Sequence, residues 1–169
     1  DKNDTKFKKA YFNKFKNIWH HGDFAKITSK KGFIIVGRSD TTLNPGGVRL
    51  GTAEIYSEIE RFKEIKESLV VGQSWDNDIR IILFVILDSK SELTEDLLKR
   101  MKLQIKKNAS PRHVPHKIIQ VSDIPRTKSG KIVELAVKNI IEGNKIQNKE
   151  ALANPLSLKQ YSNIEELQY

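Results

Sequence analysis

The sequence predicts an α+β fold: a small three-stranded sheet covered by helices, preceded by a β-hairpin. Three observations carry this. Ile79 to Leu87 is a β-branched, almost wholly apolar run, as a central strand covered on both faces requires. Two stretches, beginning at Thr52 and Thr94, place apolar residues at helical spacing with charges opposite. From Leu50 onward the order reads helix, strand, strand, helix, strand, helix, which suits helices packed on a short sheet.

The first 29 residues read as a frayed start, a short helix and a loop. Phe7, Tyr11, Phe12 and Phe15 fall at helical spacing with lysines between them, which predicts an aromatic stripe facing a core. Phe24 to Thr28 and Phe33 to Val36, joined by Ser29-Lys30-Lys31-Gly32, predict the hairpin. Asn44-Pro45-Gly46-Gly47 is a turn: proline fixes one φ and glycine supplies the unusual ones. Thr52 is the expected N-cap of a helix reaching about Phe62, with Ile55, Ile59 and Phe62 inward. Ser68 to Gln73 is a strand, Trp75 to Asp78 a turn, and Ile79 to Leu87 the central strand. Thr94 caps a helix to about Asn108, with Leu97, Met101 and Ile105 on one face; Pro111 stops it. Lys117 to Val121 is the third strand. Ile132 to Ile141 is a helix that Gly143 ends. Asn144 to Tyr169 is polar, with Asn154-Pro155 as a breaker, and reads as a tail that packs weakly or adds one short helix.

A chain of 169 residues holds one domain, or one with appendages. It has no cysteine, which excludes disulfides and thiolate chemistry. Its mean hydropathy of −0.50, and the lack of any apolar run as long as a membrane span, exclude a transmembrane class. The formal charge of +9 attracts polyanions, among them nucleic acid, anionic lipid, ATP and CoA. The lysines are scattered, which argues against a dedicated nucleic-acid stripe.

Certain residues bear chemistry. Asp23, on a loop after Gly22, can accept two hydroxyl hydrogen bonds, as a ribose diol requires. Arg38 and Arg49 can pair with phosphate bidentately. Gly46 and Gly47 leave a groove without side chains. Pro125-Arg126-Thr127-Lys128-Ser129-Gly130-Lys131 is a mobile-looking basic loop. Its Lys131 ammonium could enter a closed site and neutralise charge that builds during a reaction. Each has an ordinary reading beside this one: a turn, a surface ion pair, a solvated loop. The loop is not a nucleotide P-loop, because Pro125 stands for the first glycine and Ile132 for the final Ser/Thr. His113 and His116 flank Pro115 with no carboxylate or cysteine to complete a metal set, so no metal site is expected. No Gly-x-Ser-x-Gly elbow supports nucleophilic hydrolysis.

Three motifs follow one another: Trp19-His20-His21-Gly22-Asp23, the stretch from Gly37-Arg38-Ser39-Asp40 to Ile55, and Pro125 to Lys131. In this order and spacing they resemble the C-terminal motifs of the acyl-CoA synthetase branch of the adenylate-forming enzymes. Arg49-Leu50-Gly51-Thr52-Ala53-Glu54-Ile55 and Ser110-Pro111-Arg112-His113-Val114-Pro115 are most similar to the acetoacetyl-CoA synthetase group. The resemblance runs from about Tyr11 to about Leu158.

It implies a domain plan. Residues 1–39 would be the C-terminal remnant of a large N-terminal adenylation domain, missing here, whose last part is the hairpin. Residues 40–145 would be the lid domain, and 146–169 a tail. It implies a chemistry too: acetoacetate and ATP give an acyl-adenylate and pyrophosphate, then CoA gives acetoacetyl-CoA and AMP, with Mg²⁺ accompanying ATP. Asp23 would hold the ribose, and Arg38 and Arg49 the nucleotide and its phosphates. Asp40 would be the hinge of a swinging lid. Gly46 and Gly47 would border the pantetheine arm of CoA, with Lys106 and Arg112 near its phosphate. Lys131 would be the catalytic lysine of adenylation. The expected partners are these small molecules and the enzyme's own N-terminal domain, not nucleic acid or membrane, in a cytoplasmic setting. The isolated chain is expected to be inactive, because it shows neither a phosphate loop nor an acid pocket. Two alternatives stand beside this: a fragment of an acetyl- or propionyl-CoA synthetase, and a basic nucleic-acid-binding module using Phe33, Tyr56 and Trp75 as stacking groups.

Overall fold

The structure, a computed structural model, describes residues 4–39, 41–146 and 149–169. The chain divides into two compact units, Asp1–Asp40 and Thr41–Tyr169.

In the first unit, helix α1 spans Thr5–Tyr11. Its aromatics close on a residue from the following loop: Tyr11 stacks on Trp19 with centroids 4.1 Å apart, and Phe7 and Phe12 meet the same indole at 5.6 and 5.7 Å. The stripe is therefore a small local cluster, and Phe15 lies outside it, edge-on to His20. Strands β1 (Asp23–Ile27) and β2 (Phe33–Arg38) form the expected antiparallel hairpin. The pairing runs two residues further than the apolar pattern, so that Asp23 faces Arg38 across the ladder.

The second unit holds the three-stranded sheet. Strands β3 (Ile65–Trp75) and β4 (Asp78–Leu87) are antiparallel, and β5 (Lys117–Gln120) runs parallel to β4, in the order β3-β4-β5. Asp76 and Asn77 take φ of 48° and 59°, the left-handed pair that a tight hairpin turn demands. β4 is central, and its side chains alternate between two cores. Ile81, Leu83 and Val85 point to one face, with Ile55 and Ile59 of helix α2 (Thr52–Ile59) and Leu97, Met101 and Ile105 of α3 (Glu95–Asn108). Ile82 and Phe84 point to the other, with Val137 of α4 (Glu134–Ile141). Burial on both faces is why the run lacks polar alternation.

The helix starts differ from expectation at two of three places. Thr94 caps α3 as predicted, its Oγ1 accepting the Leu97 N–H at 3.2 Å. Thr52 is instead the first helical residue and is buried; Gly51 occupies the cap position without a side-chain bond, and the helix ends at Ile59. α4 starts at Glu134, because Ile132 bridges Arg126 and the Val133 N–H is taken by the Pro125 carbonyl at 3.0 Å.

Of the two readings of the last residues, weak packing and an added short helix, the structure has the added helix, and it packs into the core. A 3₁₀ helix, Pro155–Tyr161, drives Tyr161 into the second core, where it is fully buried, edge-on to Phe84 at 4.9 Å. Its hydroxyl donates to the Asp123 carbonyl at 2.8 Å. Leu167 joins the same core, and Arg80 donates to the Leu167 and Tyr169 carbonyls at 2.7 and 3.0 Å. A few apolar anchors in a polar stretch are enough, since burying each large side chain is worth about 1.5–3 kcal/mol.

Candidate functional site

In the first unit, backbone pairing sets Asp23 opposite Arg38, with Arg38 Nη1 3.8 Å from Asp23 Oδ1. His21 Nδ1 bonds the other carboxylate oxygen, and Arg38 Nη1 also reaches the His21 carbonyl at 3.4 Å. Gly22 makes this possible: its φ is +88°, and a side chain there would meet the Arg38 guanidinium at 3.4 Å. The carboxylate thus sits at a strand end between an imidazole and a guanidinium.

In the second unit, Leu43 and Leu50 bridge each other through paired backbone bonds of 2.8 and 3.1 Å and close the loop between them. Pro45–Gly47 is a single 3₁₀ turn with Gly46 and Gly47 at φ of 57° and 74°. Asp78 pins it: both carboxylate oxygens accept the Gly46 N–H, at 2.8 and 2.9 Å. Donation from the Ile79 N–H, and then from Gly46, holds the Asp78 carboxyl below its ordinary range. Arg112 lies over the same turn, its Nη1 3.4 Å from where a Gly46 side chain would begin. Gly46, Gly47 and Arg112 are therefore together. Arg49 is exposed at the end of this loop, and Lys106 is exposed in the last turn of α3.

Lys131 occupies a different place. It lines a groove of about 690 Å³ with Tyr56, Glu67, Arg126 and Glu134; none of Gly46, Gly47, Arg49, Lys106 and Arg112 does. The Tyr56 hydroxyl donates to the Glu134 carboxylate and accepts the Val70 N–H at 3.0 Å. Burial, and then the Glu134 charge, push that phenol well above its ordinary value, so it stays a neutral donor. Arg126 pairs with Glu67. Lys131 itself is exposed, at the end of the Arg126–Ile132 bridge. The hinge assigned to Asp40 lies outside the described residues.

The two histidines around Pro115 each have a hydrogen-bond partner. His113 bonds Ser110 at 2.8 Å and Glu54 at 2.9 Å. Among the described residues no group of three or more His, Asp or Glu is placed to hold a metal ion. Two of the three supposed stacking groups are occupied: Tyr56 by its hydrogen bonds, and Trp75 by the Arg80 guanidinium 3.7 Å over its ring. Sequence reasoning missed Asp78, which it passed as a turn residue, and Tyr56 and Glu134, whose partners lie 14 and 78 residues away.

An exposed lysine beside a groove and an arginine over a glycine turn stand on a three-stranded sheet clad with helices. Residues 54–131 match the AMP-binding enzyme C-terminal domain, the class of domain to which this part of the chain is similar. Within that class its likeness is to acetoacetyl-CoA synthetases. The enzyme of Rhizobium meliloti (strain 1021) is 56% identical over 99% of this chain and 26% of its own length. That of Xenopus tropicalis is 50% identical over 99% of this chain and 25% of its own. The solved acetoacetyl-CoA synthetase from Streptomyces lividans superposes with a TM-score of 0.86 at 38% identity, covering 98% of this chain and 25% of that one. An ATP-bound chimera, RpMatB-BxBclM chimera B1, superposes at 0.69 with 25% identity, over 82% of this chain and 27% of that one. The chain thus spans about a quarter of the length of the curated relatives it matches.

Proposed function

We propose that this chain is the lid portion of a longer ATP-dependent acid–CoA ligase that makes acetoacetyl-CoA. The observation that carries the reading is the presentation of Lys131: an exposed ammonium at the end of a hydrogen-bonded hairpin, in a chain alike over 99% of its length to an acetoacetyl-CoA synthetase.

In the first step an acetoacetate oxygen attacks the α-phosphorus of ATP and pyrophosphate leaves. Lys131 sits against the carboxylate and α-phosphate and offsets the charge gathering there. Asp23 accepts the ribose hydroxyls from a strand end that pairing with Arg38 keeps in place. Arg38 faces the nucleotide, and Arg49 its phosphates or the leaving pyrophosphate. In the second step the CoA sulfur attacks the acyl carbon and AMP leaves. The bare Gly46-Gly47 turn lets the thin pantetheine arm pass, while Arg112 and Lys106 meet phosphate at its far end. Mg²⁺ would accompany the ATP phosphates; the described residues supply no ligand set for it.

Residues 1–39 serve in this reading as the end of the adenylation domain, 40–145 as the lid, and 146–169 as its support. The setting is cytoplasmic, and the isolated chain makes no thioester. The test is Lys131→Ala in the complete ligase. Acetoacetate-dependent ATP–pyrophosphate exchange should fall by about 10²–10³-fold. Thioester formation from preformed acetoacetyl-AMP and CoA should persist. Unchanged exchange would refute the assignment of Lys131.

A further inference from the structure

We propose that Asn154, with the segment 149–153 before it, braces the hairpin that carries Lys131 and is a positioning residue for adenylation. The proposal rests on the reading of Lys131 given above and extends it to residues with no assigned role.

The loop that looks mobile in sequence is tied at its base on two sides. On one side it closes on itself. The Thr127 N–H donates to the Lys131 carbonyl at 2.8 Å, the Lys131 N–H to Thr127 Oγ1 at 3.1 Å, and the Gly130 N–H to the Thr127 carbonyl at 2.8 Å. On the other side the late segment pairs with it like a short extra strand. Thr127 bridges Leu152, the Lys128 N–H donates to the Ala151 carbonyl at 3.2 Å, and the Ala153 N–H to the Arg126 carbonyl at 2.8 Å.

Asn154 completes this pairing with one side chain and three bonds. Its Oδ1 accepts the Arg126 N–H at 2.8 Å. Its Nδ2 donates to Asp123 Oδ2 at 2.7 Å and to the Ile124 carbonyl at 2.9 Å. It therefore grips both ends of the turn from Asp123 to Arg126 that leads into the hairpin. The brace has its own footing, since Leu152 and Leu158 are buried against Ala136 of α4. Residues 128–131 stay exposed. The base of the hairpin is fixed while its tip is free to enter a site. Such a tip needs this, because a misplacement of about 1 Å in a reacting geometry can cost about 100-fold.

The test uses the complete ligase and a double-mutant cycle of Asn154→Ala with Lys131→Ala. Asn154→Ala should lower ATP–pyrophosphate exchange by about 10- to 100-fold. It should leave thioester formation from preformed acyl-adenylate unchanged, a pattern that a general folding defect would not give. In the Lys131→Ala background the second change should cost nothing more, since the brace acts only through that lysine. Equal loss in both half-reactions, a further loss beyond Lys131→Ala, or wild-type exchange in the single variant would each overturn the brace while leaving the Lys131 assignment standing. If Lys131→Ala itself exchanges normally, the Lys131 reading fails and the brace falls with it.

Discussion

Asp78 and Gly46, 32 residues apart, are joined by a carboxylate that takes one backbone N–H on both oxygens. The bond fastens the glycine turn to the start of the central strand, directly under the Arg112 guanidinium. If that turn borders the CoA arm, Asp78→Ala should slow thioester formation from preformed acyl-adenylate by about tenfold. Pyrophosphate exchange should be spared. Separate assays of the two half-reactions check this, and equal loss in both would show that Asp78 serves folding alone.

The same carboxylate gives a pH signature. Its pKa is lowered in the folded state by the Ile79 and Gly46 N–H donors. A depressed carboxyl contributes stability that is fully present above its unfolded value, about 3.9, and is lost as pH falls through the lower folded value. The urea midpoint of the wild-type chain should therefore exceed that of Asp78→Asn by a constant margin from pH 7 to about 5. The margin should shrink below about pH 4.

Gly72 sits in β3 where a side chain has no room. A Cβ there would stand 2.7 Å from Cγ2 of the half-buried Ile79 and 3.3 Å from Cδ2 of Leu43 in the packed interior. Gly72→Ala should cost about 1–3 kcal/mol through overpacking, read as a lowered urea midpoint.

Tyr161 tests whether the late segment belongs to the core. It is fully buried, against Phe84, with its hydroxyl on the Asp123 carbonyl. Tyr161→Ala should lose about 3–5 kcal/mol, as large aromatic truncations do. A loss under about 1 kcal/mol would be the mark of a surface residue.

Tyr56 links three elements near Lys131. Its hydroxyl joins Glu134 at the start of α4 to the Val70 amide of β3 from its own place on α2. Tyr56→Phe removes both bonds, which should cost about 1–3 kcal/mol in urea unfolding. Chain unfolding at wild-type midpoint would mean that water replaces the hydroxyl at no cost.

Much of this protein was legible along the chain. The apolar run of β4, the helical spacing of Leu97, Met101 and Ile105, the cap at Thr94 and the turn at Asn44 to Gly47 each depend on neighbours within a few residues, so composition and period revealed them. The ordered motifs around Asp23, Arg38 and Lys131 carry a resemblance to the adenylate-forming enzymes, and residues 54–131 match the AMP-binding enzyme C-terminal domain. Tertiary structure alone decided which residues hold those motifs in place. Asp78 pins Gly46, Tyr56 joins Glu134, and Asn154 grips Arg126 across 28 residues, contacts that follow no local period. It also turned a polar tail into core. A few anchors such as Tyr161 and Leu167 pack only when a distant sheet face is there to receive them, and hydrophobic burial depends on that face rather than on the sequence around the anchor.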